Sequence, residues 1–176
     1  MPGGESTRPT TDRVREALFS ALVSWAGRSD APADQALAGL AFLDLYAGSG
    51  AVGLEAASRG ALPVLLVEGN RRTARVTARN VAEIAPRAEL RAVRVEQLLQ
   101  TPAPRAYDIV FADPPYAMVA AELDPVLLAV TERGWLAADG LLVVERSTRS
   151  AALSWPAGLE VWHRGYGETE LWFAAR

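Results

Sequence analysis

The run Asp113-Pro114-Pro115-Tyr116 places a carboxylate, a proline-stiffened carbonyl and an aromatic ring at one corner of the chain. An exocyclic amine on a nucleobase is a weak nucleophile because its lone pair is delocalised into the ring. Asp113 can accept a hydrogen bond from one N–H of such an amine and the Pro114 carbonyl a hydrogen bond from the other, which would aim the lone pair at an electrophilic methyl group. Tyr116 offers a face for base stacking, a contact worth about 1–3 kcal/mol. The run predicts methylation of an amino group; the alternative is an ordinary Pro-Pro turn, with Asp113 as a helix cap and Tyr116 in the core.

The elements around this run support a ligand site. Residues 107–112 form a short apolar stretch bounded by turn formers, which predicts a buried strand that carries the run on its C-terminal end. Ligand sites of open α/β sheets gather at that edge. Proline fixes φ near about −65° and disfavours helix at the preceding residue, so the corner should be rigid.

A glycine-rich turn lies upstream. The apolar residues 41–46 predict a strand that breaks into Gly48-Ser49-Gly50 and then a helix. The glycines allow a ligand to approach the backbone closely, and the helix N-terminus offers N–H groups to a carboxylate or phosphate. Glu68 ends the next apolar run, where an acid can accept both hydroxyls of a ribose. Together these features predict a nucleoside site.

Residues 48–53 also fit the dinucleotide fingerprint, so a nicotinamide-dependent dehydrogenase is an alternative. However, Asp44 stands four residues before the first glycine, where a dinucleotide-binding strand is usually apolar. An acid there suits a ligand with an ammonium group or a tightly held water near the turn, as at the methionine end of S-adenosylmethionine. The Asp-Pro-Pro-Tyr run has no task in hydride transfer. We therefore favour a methyl donor.

The composition narrows the class of protein. A chain of 176 residues, 50% hydrophobic and 22% charged, predicts one globular domain. We expect a cytoplasmic protein, because no apolar run is long enough for a membrane and no signal-peptide pattern opens the chain. This sequence has no cysteine, which excludes disulfides, thiolate catalysis and cysteine metal sites in it. One histidine is too few for a histidine metal centre, so we expect no metal and interpret His163 as structural.

The net charge of −3 does not indicate a protein that grips nucleic acid through its overall charge, so RNA contacts should be local. All 18 basic residues are arginine. Arg71, Arg75 and Arg79 recur at helical spacing with Arg72 beside them, and should line one helix face. That face is either simply solvated or contacts phosphates.

Strand and helix patterns alternate along the whole chain. Five β/α units followed by a β-hairpin predict an α/β fold: a seven-stranded, mostly parallel sheet with one antiparallel strand and helices on both faces. The predicted strands cover residues 41–46, 63–68, 90–95, 107–112 and 140–145, and the hairpin covers 159–164 and 168–174. The predicted main helices cover residues 14–25, 50–59, 70–84 and 124–134, the last with Asp124-Pro125 as its cap and first turn; residues 28–39 are expected to form a loop.

Four segments together carry a family resemblance: residues 8–19, which open Arg-Pro-Thr-Thr-Asp-Arg, the turn at 44–50, the run at 113–116, and Tyr-Gly-Glu-Thr at 166–169. Over roughly residues 8–174 the chain resembles the RsmD-type 16S rRNA (guanine(966)-N(2))-methyltransferases. The glycine and Asp-Pro-Pro-Tyr motifs occur in many amino-methyltransferases, whereas the Arg-Pro-Thr opening is more specific to this family.

The resemblance implies a class I, Rossmann-like methyltransferase fold. It also implies transfer of a methyl group from S-adenosylmethionine, which leaves S-adenosylhomocysteine, to the N2 amine of a guanine in 16S rRNA. The base would be flipped out to reach the site. The residues implied for the cofactor are Asp44, Tyr46, Gly48, Ser49, Gly50, Glu68, Glu96 (near the adenine amine) and Thr10. Those implied for chemistry are Asp113, Pro114 and Tyr116, and those for the substrate are Arg8, Pro115 and Tyr116. As an alternative, Arg8 and Thr10 form a helix-capping turn.

The N-terminus departs from the family pattern. Family members usually begin with a basic β-hairpin of about twenty residues, thought to help engage RNA, whereas only residues 1–7 precede Arg8 here. We expect residues 1–7 to be disordered and residues 8–176 to form one methyltransferase domain that acts as a monomer on rRNA, within the small ribosomal subunit or an assembly intermediate.

Two other functions stay open. The same motif serves a DNA adenine-N6 methyltransferase, although such an enzyme normally needs a recognition domain or long insertion for which 176 residues leave little room. The second is a non-catalytic RNA-binding or assembly domain that keeps the fold, and the intact Asp113 and glycine turn argue against it.

Overall fold

The computed structural model describes residues 12–176. The predictions made for Arg8, Thr10 and residues 1–7 therefore lie outside the described residues. The helices are α1 Asp12–Trp25, α2 Ala51–Ser58, α3 Arg71–Ile84, α4 Val95–Leu98 and α5 Ala120–Glu132, with a short 3-10 helix at Ala33–Gln35. The strands are β1 Phe42–Leu45, β2 Val64–Val67, β3 Glu89–Arg91, β4 Tyr107–Ala112, β5 Leu136–Ser147, β6 Glu160–Tyr166 and β7 Thr169–Ala175.

The strands form one seven-stranded sheet in the order β3-β2-β1-β4-β5-β7-β6. Strands β1 to β5 pair in parallel, whereas β7 pairs antiparallel with both β5 and β6. The predicted mostly parallel sheet with a C-terminal hairpin is therefore confirmed. This order puts β1 and β4 side by side at the centre, so the segments that follow them are neighbours at one edge of the sheet.

Both faces of the sheet are covered. All four residues of β1 and all four of β2 are buried, as expected for parallel strands packed between helices. One apolar cluster joins Phe42 of β1 to α1, α2 and α3, and a second joins Leu43 to α4 and α5. Alternate residues of a strand point to opposite faces, so each central strand contributes to both clusters. A fully buried leucine such as Leu43 stabilises the fold by about 1.5–3 kcal/mol.

Three predicted elements differ from the structure by more than two residues at one end, and the other bounds agree within two residues. The third strand was predicted at 90–95, but β3 covers only Glu89–Arg91 because it is a largely exposed edge strand and the chain turns into α4. The fourth main helix was predicted to start at Asp124, but α5 starts at Ala120, where the Glu122 carboxylate accepts a hydrogen bond from Val119 N at 3.2 Å. The fifth strand was predicted at 140–145, whereas β5 extends to both sides because it pairs with two strands.

Among residues 12–176, no helix is both long enough and apolar enough to cross a membrane.

Candidate active site

Most of the residues predicted for cofactor and chemistry follow the C-terminal ends of β1, β2 and β4, whereas Asp44 lies within β1 and Glu96 lies in α4, after β3. The glycine turn, residues 46–50, follows β1, and Glu68 directly follows β2. Asp113 directly follows β4, whose last residue Ala112 pairs with Leu45, the last residue of β1. The sheet therefore brings the glycine turn and the Asp-Pro-Pro-Tyr run together at one edge.

The glycine turn contains three residues in the left-handed backbone region. Tyr46, Gly48 and Gly50 have φ values of 61°, 55° and 88°. A Cβ atom at Gly50 would lie 3.0 Å from a methyl carbon of Leu66 and 3.1 Å from one of Thr77, so a larger residue has no room there. A Cβ atom at Gly48 would meet no described atom within 4 Å. The turn is packed against the protein at Gly50 and faces open space at Gly48.

Asp44 lies beneath this turn. Its side chain is on β1, the residue is only 1% exposed, and Oδ2 accepts a hydrogen bond from Gly53 N in the first turn of α2 at 2.8 Å. The pKa of Asp44 is raised to about 7; burial is the main cause, the hydrogen bond from Gly53 opposes the shift, and the negative charges of Asp113 and Glu68 add to it. The carboxyl group therefore stabilises the start of α2, and the structure encloses it under the turn.

Glu68 joins the ends of β1 and β2. Its carboxylate accepts hydrogen bonds from Gly48 N at 2.9 Å and from Asn70 N at 2.6 Å. A carboxylate has about four acceptor positions, so two backbone donors leave capacity for hydroxyl groups. The predicted ribose contact is therefore compatible with this geometry.

Tyr46 bridges the glycine turn to two other segments. Its hydroxyl donates to Glu96 Oε1 at 3.4 Å and lies 3.7 Å from the Met118 sulfur atom. Burial raises the pKa of Tyr46, with a further contribution from the Glu96 carboxylate, so the phenol keeps its proton. Glu96 also contacts Arg94 Nε at 3.3 Å. Tyr46 thus links Glu96, which is predicted to contact the cofactor, to the loop that follows the Asp-Pro-Pro-Tyr run.

The Asp-Pro-Pro-Tyr run turns outward from the end of β4. Asp113 is half-buried and Pro114 is buried, whereas Pro115 and Tyr116 are exposed, Tyr116 by 82%. Met118 N donates to the Pro115 carbonyl at 2.8 Å, which closes the turn. The alternative of a core-packed Tyr116 is wrong, because most of its surface is exposed. Asp113 lies close enough to Asp44 for its charge to affect the pKa of that carboxyl.

Two residues of α3 hold the glycine turn and were missing from the sequence prediction. Thr77 Oγ1 donates to the Gly48 carbonyl at 2.5 Å, and Asn80 Nδ2 donates to the Ser49 carbonyl at 2.9 Å. Thr77 is fully buried, between Ala74 and Val81 on the inner stripe of the helix. A hydroxyl within an apolar helical stripe was the available signal, because a buried polar group needs a partner.

The outer face of α3 and the C-terminal hairpin match their predicted placement. Arg71, Arg75 and Arg79 are all exposed on α3, and contact with phosphates stays a prediction. His163 stacks on Trp172 at a centroid distance of 4.4 Å, on the edge strand β6. This packing is compatible with a structural role for His163.

A family model described as Conserved hypothetical protein 95 matches residues 1–175. The chain belongs to this family. Ribosomal RNA small subunit methyltransferase D of Escherichia coli K12 is 34% identical over 160 residues, which cover 89% of this chain and 73% of that protein. The RsmD-type family prediction is thereby confirmed, and with it the prediction that the chain is a methyltransferase.

Solved structures agree with this membership. An Escherichia coli protein named as a candidate methyltransferase has a TM-score of 0.80 and 28% identity, covering 100% of this chain and 90% of its own. A hypothetical protein from Thermus thermophilus has a TM-score of 0.76 and 34% identity, covering 100% of this chain and 92% of its own. The predicted class I methyltransferase fold is confirmed.

Proposed function

We propose that this chain transfers a methyl group from S-adenosylmethionine to the exocyclic N2 amine of a guanine in 16S rRNA of the small ribosomal subunit. One observation carries the proposal: Asp113 follows β4 directly beside the glycine turn that follows β1. An amine held by Asp113 would then face the edge where a nucleoside methyl donor fits. Ribosomal RNA as the substrate is supported by the name of the Escherichia coli relative.

The residues present suit S-adenosylmethionine. The open space over Gly48 leaves room for a ligand against the backbone, and Glu68 offers acceptors for ribose hydroxyls. Glu96, held by Tyr46, can accept a hydrogen bond from an adenine amine. When bound, this cofactor supplies an electrophilic methyl group on a sulfonium centre.

The chain's own task is to orient the amine. The Asp113 carboxylate and the Pro114 carbonyl are both hydrogen-bond acceptors, so each can accept a hydrogen bond from one amine N–H, and together they turn the lone pair out of conjugation. As the nitrogen took the methyl carbon, the carbon–sulfur bond of the donor would break and leave S-adenosylhomocysteine, and the nitrogen would lose one proton, which the Asp113 carboxylate could accept or pass to water. Positioning alone can lower the barrier substantially, so a strong general base is unnecessary.

Tyr116 supplies the stacking surface. Its exposed ring stands at the mouth of the site, where an unpaired or flipped guanine can lie against it. Pro115 would extend this surface, and we propose Arg8 and Thr10 as further contacts at the substrate and cofactor entrance. Action as a monomer in the cytoplasm, on a subunit or assembly intermediate, stays a prediction.

The test supplies S-adenosylmethionine labelled on its methyl group together with unmethylated small ribosomal subunits, free 16S rRNA or duplex DNA. We expect label on one guanine N2 in the ribosomal substrates and none in DNA. Label on adenine in DNA would support a DNA methyltransferase instead. If the folded protein binds the cofactor but labels no substrate, a non-catalytic binding domain becomes the better explanation.

A further inference from the structure

A cavity of about 220 Å³ lies beside the Asp-Pro-Pro-Tyr run at the end of β5. We call it the Arg146 cavity. Its polar lining consists of Tyr116, Arg146, Ser147, Arg149 and Ser150. Two guanidinium groups and three hydroxyls thus face one small space, and none of its lining residues is acidic. This is unexpected in a chain whose net charge is −3.

Arg146 is the buried member of this group. It lies near the end of β5, is 8% exposed, and donates from Nη1 to the Met118 carbonyl at 3.0 Å. Its Nε atom is buried without a hydrogen-bond partner. Burial lowers the pKa of Arg146, and the negative charge of Asp124 opposes this shift. A buried cation with an unsatisfied donor is costly, and an anion in the cavity would reduce that cost.

The rest of the lining is also suited to an anion. Arg149 pairs with Glu168 at 2.8 Å, but the Arg149 side chain is 75% exposed, and an exposed pair contributes little to stability. Its guanidinium can therefore turn to a ligand at small cost. Val119 and Ala120, at the N-terminal end of the 13-residue helix α5, also line the cavity. The Glu122 carboxylate already accepts the hydrogen bond of Val119 N, so this helix end would favour an anion only through its dipole.

The position separates this cavity from the cofactor turn. Asp113 follows β4. The glycine turn follows β1, the neighbour of β4 on one side, whereas Arg146 lies on β5, the neighbour of β4 on the other side. Tyr116 lines the cavity and also stands next to Asp113 and Pro114. An anion in the cavity would therefore accompany the substrate base and not the methyl donor.

We propose that the Arg146 cavity binds a phosphodiester group of the RNA strand next to the target nucleotide, an inference that rests on the proposed function. Planar guanidinium groups bind phosphate oxygens through paired hydrogen bonds. Serine hydroxyls can donate to the same oxygens. Binding of a phosphate here would hold the strand while its base stacks on Tyr116, which partly answers how an acidic protein engages RNA.

The test compares Arg146→Met with Arg146→Lys and with Arg133→Met. Arg133 serves as the matched control because it also donates to a backbone carbonyl, that of Gln100, but at the C-terminal end of α5. Affinity for unmethylated 16S rRNA transcript is measured over a range of salt concentrations, and S-adenosylmethionine affinity is measured by calorimetry. Circular dichroism melts verify folding.

We expect Arg146→Met to bind RNA roughly tenfold more weakly and to lower the slope of log affinity against log salt by about 0.7, the value for one single-stranded phosphate contact. Arg146→Lys should retain most of the salt dependence of RNA binding, and Arg133→Met should retain all of it. Every variant should bind S-adenosylmethionine with the affinity of the wild type. If Arg146→Met does not fold, the exposed Arg149→Met replaces it, with the same expected direction. Unchanged RNA affinity and slope in the folded Arg146→Met or Arg149→Met variant would overturn the inference.

Two further outcomes separate the possible failures. An Arg146-dependent thermal shift with inorganic phosphate, together with unchanged RNA binding, would assign the cavity to a free anion and overturn the RNA contact. If the wild-type protein binds the transcript with an Arg146-dependent slope but methylates no ribosomal substrate, the proposed activity fails while the phosphate contact stands.

Discussion

Asp44 Oδ2 accepts a hydrogen bond from Gly53 N at 2.8 Å, which fixes the last residues of the central strand β1 to the first turn of α2. A Cβ atom at Gly53 would lie 3.0 Å from this carboxylate oxygen and 2.9 Å from Leu66, so only glycine lets the helix approach so closely. The acid was predicted because it interrupts an apolar strand before the turn. In the structure it holds the start of α2, the helix that follows the glycine turn, and a direct contact with the ligand stays a prediction.

Asp44→Asn should change how stability depends on pH. The pKa of Asp44 is raised to about 7 from 3.8, so between these values the unfolded chain ionises while the folded protein holds the proton. The free energy of unfolding should therefore fall as pH rises from about 4 to 7, by up to about 4 kcal/mol at 1.36 kcal/mol per unit, and then level off. The variant lacks this decline. Urea unfolding of both proteins at pH 5 and pH 8 measures the change in the free energy of unfolding between these pH values. An equal change in the wild type and in Asp44→Asn would contradict the prediction.

Cofactor affinity tests the role of the same residue separately. Asp44→Ala leaves the Gly53 N–H without an acceptor, at a cost of about 1–3 kcal/mol, and should weaken S-adenosylmethionine binding. Asp44→Asn keeps an acceptor and should retain most of the affinity if the side chain acts by holding the turn. Equal losses in both variants, measured by calorimetry, would show that the negative charge itself contacts the ligand.

Asp113→Ala should abolish methyl transfer while leaving cofactor affinity nearly intact, because its carboxylate acts on the amine and not on the donor. The expected loss is at least about 100-fold in the single-turnover rate, or about 3 kcal/mol in transition-state stabilisation. Rapid-quench assays with ribosomal substrate and calorimetry with S-adenosylmethionine measure the two effects. Wild-type turnover by the variant would remove Asp113 from the mechanism.

Tyr116→Ala should weaken RNA binding by about 1–3 kcal/mol, because one stacking surface is lost. The side chain is 82% exposed, so the melting temperature should change little. Tyr116→Phe keeps the ring and should bind RNA like the wild type. Anisotropy titrations with labelled transcript distinguish the variants, and equal affinity of Tyr116→Ala and Tyr116→Phe would exclude stacking.

The fold and half of the site were predictable from local patterns. Buried parallel strands such as β2 read as continuous apolar runs, and glycines and prolines mark where they end, so the strands and the mostly parallel sheet could be predicted. The order of the strands within the sheet was not predicted. The start of α5 was missed because a side chain within the helix, Glu122, accepts the hydrogen bond from Val119 N. An Asp-Pro pair resembles a helix start even when it lies in the second turn.

Residues that act through tertiary contacts were harder to find. Thr77 and Asn80 reach the glycine turn from a helix twenty-nine and thirty-one residues further along the chain. Arg146 lies near the end of an apolar strand, and such a position suggests an exposed arginine. In the structure Arg146 is buried, and its guanidinium group donates to the carbonyl of Met118 in the loop after Tyr116. Only the folded arrangement shows that Thr77 and Arg146 are buried and that Asn80 contacts the glycine turn.

Gly50→Ala should destabilise the protein and weaken cofactor binding. With φ at 88°, alanine costs about 1–2 kcal/mol in backbone energy, and its Cβ atom would also crowd Leu66 and Thr77 at 3.0 and 3.1 Å. Gly134→Ala is the control, because φ is 77° but a Cβ atom there meets nothing within 4 Å. Equal unfolding free energies for the two variants would mean that the close packing at Gly50 carries no extra cost.

Thr77→Val should loosen the glycine turn while the volume of the side chain at position 77 stays nearly the same. The hydroxyl donates to the Gly48 carbonyl at 2.5 Å, and valine keeps the methyl group that packs near Gly50. Losing this buried hydrogen bond should cost about 1 kcal/mol of stability and raise the dissociation constant for S-adenosylmethionine, with little effect on the rate of methyl transfer at saturation.

Thr131→Val is the matched control for this prediction, because Thr131 is also a buried helical threonine but donates within its own helix, to Leu128 O at 2.9 Å. It should lose similar stability while keeping cofactor affinity. Calorimetry and chemical unfolding of both variants give the comparison. Since Thr77 lies on α3 and the turn follows β1, a cofactor effect confined to Thr77→Val would establish that α3 helps to shape the cofactor site, and equal affinities would limit Thr77 to packing.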